Sequence, residues 1–275
     1  MEIVTTTSVF PIGTDHFRIV DRLAAIGYTA LDMSFDYEEL GSSGFMSDDY
    51  EGWAQRLKAH AESQGVQFTH SHGSFDADAT GDIVTRNLRC AQILGIRYMV
   101  VHPVFRSEDG QIIDDPEVYL SVNRKHYARL AEEASGYGVT ILAENLLWGA
   151  SIPPAYQSEL VTRVNSPYFG WCFDTGHLNR CGLHADALMG LAHPPLSLHV
   201  QDNHGNHDEH LLPGDGTIDW KAYLDMLRAV GYTGELVLEA HHQSIDAPDS
   251  QRDAILKKLL GRAKLMREYL CREAL

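Results

Sequence analysis

The chain has 275 residues, 44% hydrophobic and 22% charged, long enough for one large domain or two small ones with a substantial core. Its 22 Lys+Arg against 38 Asp+Glu leave a formal charge of −16, a surface that repels nucleic-acid backbones and anionic membranes. No apolar run approaches the roughly 20 residues of a membrane helix, the first residues carry no basic-then-apolar leader, and Cys90, Cys172, Cys181 and Cys271 form no CxxC, so the expectation is a cytoplasmic protein.

Short apolar, β-branched runs alternate with helical patterns along the chain. Ile3–Phe10 reads as the first strand, and His16–Ile26 as a helix carrying Ile19, Val20 and Leu23 and stopped by Gly27. Strand Ala30–Phe35 leads to helix Asp48–Gln64 before Gly65, and strand Gln67–His72 to helix Ile83–Leu94 before Gly95. Strand Tyr98–His102 precedes helix Asp115–Tyr137, which stops at Gly138, and strand Thr140–Asn145 precedes helix Pro154–Val164. Strand Phe169–Asp174, helix Ala185–Leu191, strand Leu196–Val200, helix Asp219–Val230, strand Glu235–Glu239 and helix Asp249–Cys271 complete the series.

The strand runs lack strict polar alternation, as strands buried on both faces do. Eight strand–helix units in this length predict a (β/α)8 TIM barrel, a single domain over residues 1–275 with no linker or composition break. The rival open, doubly wound sheet would carry a Gly-rich phosphate loop after its first strand, and none is present.

The sequence holds 15 histidines, and histidine is the commonest metal ligand. Six consecutive strands offer a His, Asp or Glu where the apolar run stops: His72, His102, Glu144, Asp174 with His177, His199, and Glu239; the loop after the seventh strand adds Asp208 and His210. In a closed barrel these ends converge on the mouth where catalysis sits. Each residue alone has a plainer reading, a loop histidine or, for Asp174, a helix cap. Glu144 and Glu239 are different, because an unpaired carboxylate within an apolar strand is costly and calls for a partner or a cation. Three carboxylates (Glu144, Asp174, Glu239) and one imidazole (His199) suit one Mn²⁺ or Mg²⁺, with Co²⁺ and Zn²⁺ open. Adding His72, His102, His177, Asp208 and His210 supplies ligands for up to three zinc-like ions. Phe75, Phe105, Trp148 and Trp171 are candidate pocket walls or core, Asp219 reads as an N-cap with Trp220 anchoring its helix, and His204 and His207 are alternative ligands.

The run from His199-Val200-Gln201-Asp202-Asn203 through Asp208-Glu209-His210 to Pro213-Gly214-Asp215-Gly216-Thr217-Ile218-Asp219-Trp220 resembles the sugar phosphate isomerase/epimerase branch of the xylose isomerase-like barrel superfamily. The resemblance covers essentially the whole chain and implies a metal held by Glu144, Asp174, His199 and Glu239, the two glutamates acting as acid/base pair, with His177 on the substrate. Where the epimerases carry an arginine, this chain has His210. The zinc-dependent endonuclease IV of the same superfamily has nine ligands, each with a counterpart here, and the Asp208/His210 pair is the telling part.

Residues and resemblance together predict a metal-dependent isomerase or epimerase of a small sugar, polyol or keto-sugar, working through a metal-stabilised enediolate. His177, His210, His102 and Trp148 are expected at the substrate, with His241 and His242 near the mouth. The alternatives are a trinuclear zinc phosphodiesterase and an inosose-type dehydratase. Against nucleic acid as partner stand the net charge and the acidic, small-residue loop Glu38–Gly44. A homo-oligomer is left open.

Overall fold

In this computed structural model, which describes residues 1–38, 44–183 and 185–272, all eight strands run parallel and close into a barrel in chain order. They are β1 (Ile3–Thr6), β2 (Ala30–Ser34), β3 (Gln67–His72), β4 (Tyr98–Val100), β5 (Thr140–Glu144), β6 (Phe169–Asp174), β7 (Ser197–Val200) and β8 (Leu236–Leu238). β8 closes on β1 through Ile3↔Leu236, Val4↔Val237 and Thr5↔Leu238.

The helices are α1 (His16–Ile26), α2 (Phe35–Glu38), α3 (Tyr50–Ser63), α4 (Asp82–Leu94), α5 (Pro116–Ser135), α6 (Pro154–Val164), α7 (Thr175–Arg180), α8 (Trp220–Ala229), α9 (His242–Asp246) and α10 (Asp249–Cys271). Their limits are chemical. Asp115 caps α5 by accepting from the backbone N–H of Glu117 and Val118, with Pro116 in the first turn. α1 ends on Gly27 at φ 108°, a left-handed conformation that favours glycine.

The strand alternation decides what faces the mouth. In β8, Leu236 and Leu238 join the helix-side core, while Val237 packs inside the barrel with Val4 and Ala30. The period of two therefore puts Glu239 inside. In β5 and β6, Leu142 and Cys172 pack inside together, so Glu144 and Asp174 follow them inward. β3 needs a correction to reach the same result: its register against β2 shifts, with Leu31 opposite Phe68 and Asp32 opposite His70. The extra residue, Thr69, lets Phe68 join the helix-side core while His70 and His72 point inward.

Three expected elements differ. The first strand stops at Thr6, four residues short of Phe10, because Thr6 Oγ1 accepts from the Ser8 N–H and starts a 3-10 turn over Thr7–Val9. The expected helix Ala185–Leu191 is a 3-10 turn, Ala185–Leu188. β4 ends at Val100, and His102 lies in the following loop. The short helices α2, α7 and α9 have too few residues for a period to register in sequence.

Candidate metal centre and active-site cavity

The C-terminal ends of the strands gather nine side chains into three groups, each with ligand-type atoms lying within 4.8 Å of one another: Glu144/Asp174/His199/Glu239, His72/His102/Glu144, and His177/Asp208/His210. Glu144 belongs to two of them. Its Oε1 lies 2.8 Å from His199 Nδ1, and its Oε2 lies 3.3 Å from His102 Nε2 and 3.8 Å from His72 Nε2. Glu239 Oε2 approaches the same His199 nitrogen at 3.3 Å. The third group centres on Asp208 Oδ2, 3.3 Å from His177 Nε2 and 3.1 Å from His210 Nε2.

The imidazoles are oriented by their second nitrogens. His177 Nδ1 donates to the Asn145 carbonyl at 2.8 Å, and His210 Nδ1 donates to the Glu239 carbonyl at 2.9 Å. His72 Nδ1 faces the Gly73 carbonyl at 3.3 Å. A donor locked on a carbonyl leaves Nε2 as the ligand nitrogen, the arrangement by which outer contacts fix metal-binding histidines. His210 reaches its position with φ 43°, a left-handed backbone uncommon outside glycine. Asp174 is both cap and cluster member: Oδ1 accepts from the His177 N–H at 2.6 Å, while Oδ2 is buried with no hydrogen-bond partner. An orphaned carboxylate oxygen facing two more carboxylates and an imidazole fits a divalent cation.

Electrostatics without a cation reflect the crowding. Burial pushes Asp174 up to about 7. Burial pushes Glu144 up as well, but His199, His102 and His72 outweigh it and hold the carboxyl well below its usual range. Burial opposes charge on His72 and His210, yet hydrogen bonds to Glu144 and Asp208 and the surrounding carboxylates lift them to about 10 and about 9. Protons sit where cations would.

A cavity of about 310 Å³ opens over the centre, lined by Ser8, Ser34, Asp36, His72, His102, Glu144, Leu146, Leu147, Trp148, His177, Asp208, His210, Glu239, His241 and His242. Trp148 stacks on Phe105 with ring centroids 4.8 Å apart and is 41% exposed. Phe75 and Trp171 belong to the helix-side core. A larger cavity, about 490 Å³, lies at the other end of the barrel beside Met1, Tyr98 and Glu235, away from this chemistry.

His204 pairs with Glu209, and His204 and His207 are exposed, so neither joins a ligand group. Asp202, two residues past the end of β7, is structural: its carboxylate accepts from the backbone of Asn203, Gly214 and Ile218 and from the Trp220 indole, bracing the loop that carries Asp208 and His210. Asp219 caps α8, accepting from the Ala222 N–H. The loop expected to be acidic after β2 falls largely on residues 39–43, outside the described residues.

Sequence reading passed over Gln201, whose amide donates to Asp174 at 3.3 Å and to Asp208 at 2.8 Å, tying two groups together. It also passed over Ser8, Ser34 and Asp36. Gln201 is two residues after His199 on β7, the same-face spacing that could have marked it.

A closed parallel barrel with a carboxylate–imidazole centre at its C-terminal mouth defines the class of protein. The chain belongs to the xylose isomerase-like TIM barrel family, whose model matches residues 20–261. It is 30% identical to an uncharacterized protein of Methanocaldococcus jannaschii over 62% of this chain and 56% of that one. The matched part thus spans little more than half the length of the curated relatives. In fold it is similar to a D-psicose 3-epimerase of Clostridium cellulolyticum H10 crystallised with D-tagatose (17% identity, TM-score 0.73, covering 98% of this chain and 99% of that one). It is also similar to the IolI protein crystallised with a zinc atom (15% identity, TM-score 0.74, 98% of both chains). Among the described residues, no helix is long and apolar enough to cross a membrane.

Proposed function

We propose that the chain, acting as one domain, is a metal-dependent isomerase or epimerase of a small sugar, polyol-derived ketone or related hydroxy-ketone. The observation that carries this reading is the pair Glu144 and Glu239, both within reach of His199 Nδ1 at 2.8 and 3.3 Å and both lining the cavity. Glu144, Asp174, His199 and Glu239 would hold one divalent cation. When bound there, the cation supplies Lewis acidity that polarises a substrate carbonyl and stabilises charge developing beside it.

The chain's own groups do the proton work. One glutamate takes the proton from the carbon next to the carbonyl, and the other returns it from the opposite side. Each would use one carboxylate oxygen for the cation and the other for the proton. His177 and His210, with Nδ1 held by backbone carbonyls, present Nε2 to substrate oxygens. Trp148 offers an apolar face to the substrate's C–H groups. Likeness in fold to a sugar 3-epimerase and to IolI supports this choice, and loss of hydroxide after the same proton abstraction would make it a dehydratase.

A second reading has its own observation. The three ligand groups, two of them sharing Glu144, fit a multi-ion centre for phosphoester hydrolysis. The deciding experiment is a solvent-deuterium exchange screen over ketoses and inososes with the Mn²⁺-loaded protein, run beside an abasic-duplex cleavage assay. Deuterium at the carbon next to the carbonyl with no strand cleavage supports the isomerase; cleavage without exchange replaces it with the phosphodiesterase.

A further inference from the structure

Strands β1 and β2 build a wall of the cavity that the proton chemistry leaves unused. Ser8, Ser34 and Asp36 line it. Thr6 Oγ1 lies 2.9 Å from Ser8 Oγ and also bonds Ser34 Oγ, so three hydroxyls form one ladder at the ends of adjacent strands. Asp36 stands two residues past Ser34, and its Oδ1 is buried without a hydrogen-bond partner. An ionised carboxylate only accepts hydrogen bonds, so a substrate hydroxyl can satisfy Asp36 and a phosphate dianion cannot, while the serine hydroxyls serve as donors or acceptors. No Lys or Arg lines the cavity among the described residues. Arg106, beside Phe105, is engaged elsewhere, donating to the Gly110 carbonyl at 2.9 Å.

We propose that this wall is a hydroxyl-recognition subsite for the uncharged polyol end of the substrate, and that Asp36 is the specificity residue excluding a phosphate from that end. The proposal rests on the isomerase reading for its substrate class. Asp36 accepts hydrogen bonds from substrate hydroxyls, with Ser8 and Ser34 alongside, and its negative charge opposes an anionic group at close range.

The test is calorimetric titration of the Mn²⁺-loaded protein and of an Asp36→Asn variant with D-tagatose and with D-tagatose 6-phosphate. Inorganic phosphate is titrated in parallel to correct for direct binding to the metal. The wild type is expected to bind the free ketose at least about tenfold more tightly than its phosphate, and Asp36→Asn to narrow that gap about tenfold. Equal or tighter binding of the phosphate by the wild type, or an unchanged gap in a folded Asp36→Asn variant, overturns the proposal. If the gap depends on Asp36 but no deuterium is exchanged, the isomerase reading fails and the subsite stands. If deuterium is exchanged while Asp36→Asn changes nothing, the subsite falls and the isomerase reading stands. Binding of neither ketose overturns both.

Discussion

Glu144 on β5 and His199 on β7, 55 positions apart in sequence, are joined across the barrel mouth by a 2.8 Å contact between Oε1 and Nδ1. The Glu144 carboxylate is also the only member common to two ligand groups among the described residues. Loss of its charge therefore strips the buried His199 and His72 and the half-buried His102 of a shared partner, whereas Glu239 serves only the central group.

This asymmetry separates two otherwise similar substitutions. Glu144→Gln and Glu239→Gln should each lower turnover by about 10²–10⁴-fold, the usual contribution of a positioned acid or base. Glu144→Gln should in addition release metal, while Glu239→Gln should hold more of it. Steady-state rates read with elemental analysis of the same samples test both halves, and normal turnover by Glu239→Gln removes it from the acid/base pair.

Metal stoichiometry distinguishes one ion from several. If only the central group is filled, His102→Ala and Asp208→Ala leave metal content unchanged. If all three groups are filled, each loses one ion per chain. Chelation should lower Tm in either case, because a cation that binds only the folded state stabilises it by mass action. A Tm indifferent to chelator and to added Mn²⁺ or Zn²⁺ would count against any resident ion.

The metal-free protein should lose stability as pH rises from 6.5 towards 10. His72 and His210 are lifted from 6.5 to about 10 and about 9, so their contribution is complete below pH 6.5 and disappears as pH passes through about 9 to 10. Asp174, raised from 3.8 to about 7, adds a penalty that develops over the interval between those values. Cation binding expels these protons, so affinity should tighten with pH across the same span. Thermal unfolding with chelator at a series of pH values, and metal titration at each, are the measurements. A chelated protein whose Tm climbs between pH 6.5 and 9 contradicts the assignment.

Two glycines make a packing test. A Cβ at Gly176 would come within 2.1 Å of the Gln201 side chain, whose amide holds Asp174 and Asp208. Gly176→Ala should cost about 1–3 kcal/mol by overpacking and depress activity by displacing that amide. Gly261 lies in α10 with open space around it, so Gly261→Ala should instead stabilise by about 0.5–1 kcal/mol and leave kinetics alone. Urea unfolding of both variants, with rates, checks the contrast.

Much of this centre was legible before folding. An ionisable residue at or beside the end of an apolar run is visible in one dimension, and Glu144, Asp174, His199 and Glu239 all announce themselves so. Gln201 and Asp36 did not, because a neutral amide or a loop carboxylate carries no anomaly until its neighbours are known.

The sequence by itself determined the order of strands and helices, since apolar periodicity and capping residues such as Asp115 and Gly27 act locally. It also placed Glu239 and Asp174 at strand ends, but which face they take followed only from Val237 and Cys172 packing inside the barrel. Tertiary structure alone decided that nine side chains from six strand ends and their loops fall into three groups, two of them sharing Glu144, and that Gln201 ties the central group to the His177/Asp208/His210 group. Those relations depend on closure of β8 against β1 and on the extra residue in β3, which set the rotation and height of every strand end around the mouth. Such long-range registers arise from packing the whole barrel at once, and no local stretch of chain encodes them.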